Sequence, residues 1–248
     1  MIDFCRTYWR AFKKDFKQFR SVNWVKTIYF NYKKFPPHIA RKLPVYFYGK
    51  VKFTNISGRV ELPKVIKKGM IGFGQRYEMN SLSSGIAELH ICGKITFNGY
   101  TQFGKDYFIY VDENATLSFG NMASLGYRGK IICTSTIRLG DYARLGSECQ
   151  IIDTNFHEII DVTNKKAFKM SHPITIGDYN FISNRVTFLG KAQTPEHTIV
   201  ASNSLVNKNL LDLGPNCMIG GIPAKKIKSN VTRNWDAEQP LFETLKVN

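Results

Sequence analysis

The chain has 248 residues, of which 43% are hydrophobic and 22% charged, with a formal net charge of +16. This composition is typical of a soluble globular protein with one large or two small domains. It contains no apolar stretch approaching the roughly 20 residues of a membrane-spanning helix. Basic residues also interrupt the N-terminal region where a secretory signal would need a continuous apolar stretch. We therefore expect a cytoplasmic protein without a transmembrane helix.

The cysteines exclude two further classes of protein. There are five of them, widely scattered and without a C-x-x-C pair. An odd, dispersed set argues against a disulfide framework and against a zinc site. We expect free thiols and no metal.

The positive charge is concentrated at the N-terminus. Residues 1–50 contain twelve Lys or Arg against two Asp, which accounts for +10 of the +16. Within residues 4–20, aromatic and basic side chains occupy adjoining arcs of a helix. The aromatic set is Phe4, Tyr8, Trp9, Phe12, Phe16 and Phe19, and the basic set is Arg6, Arg10, Lys13, Lys14, Lys17 and Arg20. Residues 1–50 are therefore predicted to form a basic, aromatic helical arm.

Three interpretations of this arm follow from its composition. It could lie on an anionic membrane surface, which would make the protein membrane-peripheral through residues 1–50. It could instead dock its rings on the body of the protein and leave the charges solvated. Nucleic-acid binding is the third interpretation, but no motif accompanies the charge, and we expect no nucleic-acid partner.

A six-residue repeat dominates the rest of the chain. Large residues recur every six positions, with one threonine among them, at Ile176, Ile182, Phe188, Thr194, Val200 and Val206. Mostly small residues precede the last five by two positions, at Asn180, Val186, Ala192, Thr198 and Ser204. A short strand and a tight turn every six residues form one side of a three-sided coil whose aliphatic residue points inward. The repeat predicts stacked parallel coils, and the alternative is a β-sandwich with fortuitous spacing.

These patterns divide the chain into four parts. Residues 1–50 are the helical arm, and residues 51–116 are early coils with irregular spacing, or alternatively a separate cap. Residues 117–222 are the regular coils. Residues 223–248 form a C-terminal tail with a short helix.

Three stretches carry a family resemblance. They are residues 151–157 (IIDTNFH), 174–182 (ITIGDYNFI) and 219–227 (IGGIPAKKI). Together they resemble the hexapeptide-repeat acyltransferases, and especially the saccharide O-acetyltransferases encoded with surface-polysaccharide genes. The resemblance implies a mainly β fold, the left-handed parallel β-helix. The left-handed winding comes from the family, because the general preference for right-handed crossovers would predict the opposite.

The resemblance also implies a reaction, the transfer of acetyl from acetyl-CoA to a hydroxyl of a surface polysaccharide or its precursor. His157 would be the general base of a direct transfer, a task that suits an imidazole titrating near neutrality. Asp153 and Glu158 are the local carboxylates that could fix its tautomer, although Asp153 could equally bind the acceptor or serve as a turn residue. His172 is the second candidate base. The remaining histidines, His38, His90 and His197, are expected to be structural.

The donor and the subunit partner are implied in the same way. The pantetheine arm of acetyl-CoA would follow a groove of small residues containing Ser183, Ala201 and Ser202. The cations expected at its phosphates are Lys208, Lys225 and Lys226. The alternative is that these are ordinary surface lysines without a role in binding. In relatives a neighbouring subunit of a homotrimer completes the groove, so a homotrimer is expected. Residues 158–173 interrupt the repeat, and three lysines there would suit an acidic or phosphate-linked saccharide acceptor.

Two other functions remain open at this stage. An N-acyltransferase acting on an amino sugar nucleotide would use the same histidine and donor. A catalytically idle β-helix would be a scaffold or a carbohydrate-binding module. The Asp153–His157 stretch and the lysine at the end of the repeat argue against the scaffold, because a scaffold needs neither.

Overall fold

The structure, a computed structural model, describes residues 19–75, 83 and 85–244, without the side chains of residues 239 and 241–244. Three α-helices lie wholly in these ranges: α1 (Trp24–Lys34), α2 (Pro37–Ala40) and α3 (Trp235–Thr244), with a 3-10 helix at Leu211–Leu213. Residues 19–21 are also helical. The helix predicted for residues 4–20 lies outside the described residues except for Phe19 and Arg20. The predicted short C-terminal helix is present as α3.

The strands of the described ranges form three parallel faces. Face one contains β1 (Val45–Phe47), β4 (Ile71–Phe73), β7 (Thr101–Phe103), β10 (Ala123–Leu125), β13 (Arg144–Leu145), β16 (Phe181–Ile182), β18 (Ile199–Val200), β20 (Cys217–Gly220) and β21 (Lys225–Ser229). Face two contains β2 (Val51–Ile56), β5 (Ala87–Ile91), β8 (Phe108–Val111), β11 (Lys130–Cys133), β14 (Gln150–Ile152), β17 (Thr187–Leu189) and β19 (Leu205–Val206). Face three contains β3 (Arg59–Glu61), β6 (Lys94–Phe97), β9 (Thr116–Phe119), β12 (Thr136–Leu139) and β15 (Ile174–Ile176).

The order of the strands makes the chain a coil. Consecutive strands visit faces one, two and three in turn, and each pairs in parallel with the strand one coil away, as in Leu125↔Leu145 and Leu145↔Ile182. Parallel bridges from Thr175 to Gln193 and from Gln193 to Asn209 continue face three beyond β15. β21 pairs antiparallel with β20 and closes the end of face one. The architecture is therefore a parallel β-helix.

The six-residue repeat marks the core. Each of its six large positions, from Ile176 to Val206, is at most 1% exposed. The small companion positions are equally buried, Ser204 being the most exposed of them at 2%. One residue per side therefore points into the coil, as the repeat predicts, and the sandwich alternative is wrong.

The first coils have an aromatic core instead of an aliphatic one. The rings of Phe47, Phe73 and Phe103 stack on successive coils, with centroids 5.0 Å and 4.2 Å apart. Paired strands lie within residues 45–73 and 87–119, so coils are present on both sides of the predicted boundaries at 50/51 and 116/117. The functional division of the chain at those boundaries stays a prediction.

Helix α1 caps the first coil. The Asn31 side chain donates to the Val45 carbonyl at 2.7 Å and accepts from its amide at 3.2 Å, while the hydroxyl of Thr27 accepts from the Phe47 amide at 3.0 Å. The Phe30 ring lies 5.0 Å from that of Phe47. These contacts satisfy the outer edge of β1, which would otherwise expose unpaired backbone groups. Residues 24–34 are thus packed on the body of the protein.

Helix α3 packs beside the middle coils of the stack. Trp235 lies edge-on to Tyr142 and Tyr179, whose rings stack 5.0 Å apart on successive coils. In the described part of the chain, no helix is long and apolar enough to cross a bilayer. The same residues contain no group of three His, Cys, Asp or Glu placed to hold a metal ion. Their four cysteines are free thiols.

Candidate active site

An excursion leaves the coil between β14 and β15, at the edge where face two meets face three. It runs from Asp153 to Pro173 and folds back on itself through antiparallel bridges between Thr154 and Ser171 and between Ile160 and Ala167. Backbone hydrogen bonds of 2.8 to 3.0 Å join its two arms. The interruption of the repeat therefore corresponds to a narrow, internally bonded loop.

Asp153 anchors the foot of this excursion. Its side chain is 1% exposed, and its carboxylate accepts hydrogen bonds from the Thr134 amide at 2.8 Å, the Thr134 hydroxyl at 3.0 Å and the Ser135 amide at 2.8 Å. Thr134 also shares a hydrogen bond of 2.7 Å with the hydroxyl of Ser171, on the returning arm. Asp153 thus joins both arms of the excursion to the preceding coil.

His157 lies on the outgoing arm and is exposed. Phe156, just before it, has φ of 58°, and its amide donates to the Thr154 hydroxyl at 3.0 Å. This tight turn places the imidazole where an acceptor could reach it. Within the described residues, no hydrogen bond joins His157 to Asp153 or Glu158. The two predicted catalytic residues therefore share one excursion, and no hydrogen bond joins them.

His172 stands at the foot of the returning arm. It is half-buried, and its amide donates to the Asp153 carbonyl at 2.8 Å. Burial lowers the pKa of His172, and the nearby cations Lys191 and Lys169 lower it further. A neutral imidazole is the form that can accept a proton. The imidazole of His172 therefore stays neutral to a lower pH than that of an ordinary histidine.

Lysines surround this edge of the coil. Lys165, Lys166 and Lys169 are exposed on the excursion. Below it, the Lys191 amide donates to the Pro173 carbonyl at 3.2 Å, and the Lys208 carbonyl accepts from Gln193 at 3.2 Å. Lys208, predicted as a cofactor ligand, thus lies at the edge that carries His157.

Sequence reasoning missed three residues of this site. They are Lys191, beneath the excursion, and Thr134 and Ser135, which hold Asp153. Aligning the Ile131-Ile132 pair of β11 with the Ile151-Ile152 pair of β14 would have indicated the last two, because those pairs lie side by side in face two.

The small residues predicted to line the cofactor groove lie at a different edge, where face one meets face two. Ser183 and Ala201 follow β16 and β18 on successive coils, and the Ser183 amide donates to the Val200 carbonyl at 3.0 Å. Gly146 and Gly220 occupy the same position on neighbouring coils. An added Cβ on Gly220 would approach that of Ala201 to 2.8 Å, so close coil stacking itself favours small residues here. Ser202 is exposed in the adjoining turn.

Lys225 and Lys226 continue this second edge. Both are exposed on β21, which lies beside β20 with Lys225 opposite Gly220 and Lys226 opposite Ile219. The structure therefore brings Ser183, Ala201, Ser202 and these two lysines together. It separates them from His157 and Lys208 by the width of face two.

No family model matches the chain. Among solved structures, it is similar to the polySia specific acetyltransferase NeuO, with 18% identity, a TM-score of 0.50, and coverage of 74% of this chain and 72% of that one. A hexapeptide-repeat-containing acetyltransferase from Vibrio cholerae O1 biovar eltor, complexed with acetyl coenzyme A, has 21% identity and a TM-score of 0.42 over 50% of this chain and 64% of that one. The N-acyltransferase AntD from Bacillus cereus, in complex with dTDP and 3-hydroxybutyryl-CoA, has 14% identity and a TM-score of 0.45 over 86% of this chain and 96% of that one.

The first of these similarities bears on the fold. At a TM-score of 0.50 and 18% identity, it shows a shared architecture. The parallel coils of this chain are those of a left-handed β-helix, as the resemblance in the sequence implied.

Proposed function

We propose that this protein transfers an acetyl group from acetyl-CoA to a hydroxyl of a saccharide, with His157 as the general base. The observation that carries the proposal is an exposed imidazole on an excursion anchored by a buried carboxylate, on a left-handed β-helix. The similarity to an acetyltransferase that acts on polySia supports a saccharide acceptor. Acyl-CoA donors are available in the cytoplasm, and we place the reaction there.

The reaction needs one proton acceptor and a stabilised oxyanion. The neutral imidazole of His157 accepts the proton of the acceptor hydroxyl as its oxygen attacks the thioester carbon. When the tetrahedral intermediate collapses, the C–S bond breaks and the imidazolium returns the proton to the thiolate of CoA. A base of this kind contributes about 10²–10⁴-fold to the rate. Asp153 acts at a distance, by holding the foot of the excursion in place.

The separation of the two edges supports a homotrimer. Face two is about three residues wide, roughly 10 Å, so one chain presents its histidine edge and its small-residue edge on opposite sides of that face. In a trimer, the edge bearing His157 of one chain would face the Ser183–Ala201 edge of its neighbour. Lys225 and Lys226 of the neighbour, with Lys208 of the first chain, would then be the cations available to the phosphates of the donor.

A thiol-release assay tests the proposal. Purified protein is incubated with acetyl-CoA and a panel of neutral, acidic and amino-sugar acceptors, and free CoA is measured. We expect turnover with a hydroxyl acceptor and a loss of roughly 10²-fold or more in kcat for His157→Gln. His172→Gln is the matched control. If that variant loses the rate and His157→Gln keeps it, the base assignment is wrong.

Two other outcomes would replace the proposed reaction. Turnover that requires an amino sugar nucleotide would indicate N-acyl transfer. The absence of both acetyl-CoA binding and turnover would favour the scaffold. Light scattering of the same preparation checks the mass expected for a trimer.

A further inference from the structure

Helix α1 buries one side against the first coil and exposes apolar residues on the other. Its inner side, with Thr27, Phe30 and Asn31, is buried. Its outer side exposes four large apolar or aromatic residues: Val25 at 78%, Ile28 at 47%, Tyr29 at 53% and Tyr32 at 54%. Their spacing of three, four and seven residues places them in one stripe of the helix. We call these four residues the α1 stripe.

The chain segments around the α1 stripe are rich in basic residues. From residue 16 to residue 60 the sequence contains no Asp or Glu. The described part of that range contributes nine cations: Arg20, Lys26, Lys33, Lys34, Arg41, Lys42, Lys50, Lys52 and Arg59. Of these, Lys33, Arg41 and Lys42 are exposed on α1 or directly after α2. A negatively charged occupant therefore complements this surface.

We propose that the α1 stripe and its flanking cations dock on the surface of an anionic lipid bilayer. Aliphatic and aromatic side chains of an interfacial helix enter the boundary between headgroups and acyl chains, while Lys and Arg attract anionic headgroups. An acidic glycan would also be attracted by the cations, but its polar surface would not bury the exposed aliphatic side chains of Val25 and Ile28. The apolar stripe therefore favours lipid over glycan.

The position of α1 on the coil stack fixes the orientation of a docked molecule. The helix covers the open end of the first coil, whereas the His157 excursion leaves the fifth coil. Four steps of roughly 4.8 Å hold the excursion about 19 Å further from the bilayer than the first coil. If the proposed acetyl transfer is correct, the site would reach a saccharide that extends from the membrane, and lipid headgroups would lie below it.

Vesicle co-sedimentation of the full chain, without acetyl-CoA, tests the docking independently of catalysis. Wild-type protein is mixed with vesicles of phosphatidylcholine and phosphatidylglycerol at 70:30, and with phosphatidylcholine alone. We expect binding to the anionic vesicles and little to the neutral ones. The variant Val25→Ser/Ile28→Ser/Tyr32→Ser should bind about tenfold more weakly or worse. The matched control Val65→Ser/Ile86→Ser, which replaces two equally exposed apolar residues elsewhere, should bind as the wild type does.

Three results would overturn the proposal. The first is that the wild-type protein does not bind the anionic vesicles. The second is a triple variant that keeps full binding while Arg41→Gln/Lys42→Gln loses it, since a purely electrostatic surface fits an acidic glycan. The third is a triple variant whose Tm falls by several degrees relative to the control variant, because the stripe would then be covered by the chain's own residues.

Discussion

Asp153 and Thr134 lie on successive coils and are joined by two hydrogen bonds. The Asp153 carboxylate accepts from the Thr134 amide at 2.8 Å and from the Thr134 hydroxyl at 3.0 Å. This junction fixes where the excursion that carries His157 leaves the scaffold. The Asp153 carboxylate, a predicted partner of the His157 imidazole, is thus hydrogen-bonded to the preceding coil instead. Asp153 therefore supports the site through the position of the loop.

Removing this carboxylate should lower both stability and activity. Asp153→Ala leaves the amides of Thr134 and Ser135 without their buried acceptor, and we expect a loss of roughly 2–4 kcal/mol in the free energy of unfolding. Urea denaturation measures it, and the thiol-release rate should fall in parallel. The control is Glu113→Ala, exposed on an earlier coil, which should change stability by under about 1 kcal/mol. Equal losses in the two variants would contradict the anchoring role.

His172 should titrate below the usual range of histidine. Burial, Lys191 and Lys169 lower its pKa in the folded protein. As the pH falls, His172 therefore binds its proton at a higher pH in the unfolded chain than in the folded protein. The contribution of His172 to stability is intact above about pH 6.5 and is lost progressively as the pH falls below that value.

Two measurements check this titration. In an NMR titration of the imidazole C–H signal, Lys191→Gln should raise the pKa of His172, and Lys228→Gln, on the distant strand β21, should not. His172→Gln should lose less stability than the wild type between pH 7 and pH 5. An unchanged pKa of His172 in Lys191→Gln would contradict the electrostatic cause.

The lysines of β21 should affect donor binding selectively. Lys225→Gln/Lys226→Gln removes two cations next to the Ser183–Ala201 edge, and we expect the KM for acetyl-CoA to rise about 5–30-fold with little change in kcat. Lys228→Gln, exposed on the same strand, is the matched control. A change in kcat alone, or an equal effect in the control, would place the donor elsewhere.

Trp235 should hold the C-terminal segment on the coil stack. It is 9% exposed, and its ring contacts those of Tyr142 and Tyr179. Trp235→Ala should lower the free energy of unfolding by about 3 kcal/mol and expose the residues after 230 to limited proteolysis. Trp24→Ala is a comparison at the first coil, and it should leave the C-terminal segment protected. Unchanged protection in Trp235→Ala would refute the role.

The six-residue repeat made the regular coils predictable. The earlier coils do not follow that repeat, so their inward positions could not be predicted from it. From Ile176 to Val206 each side of a coil has the same length, so the inward positions fall every six residues. The stacked residues Phe47, Phe73 and Phe103 are separated by connections of unequal length, which hide the period although the rings touch. Handedness could not come from the period at all, because coils of either hand have the same spacing, and it rested on the family resemblance.

The sequence by itself determined which residues point inward, because that depends on the local alternation of strand and turn. It also marked an interruption of the repeat between Ile151 and Ile176, next to His157. Only the tertiary structure decided that Lys191 lies beside His172. It alone also divided the predicted cofactor residues between two edges. Residues that meet at an edge are one coil apart, and the length of each coil varies with its turns and with the excursion. Spacing along the chain therefore cannot specify which corner a side chain occupies.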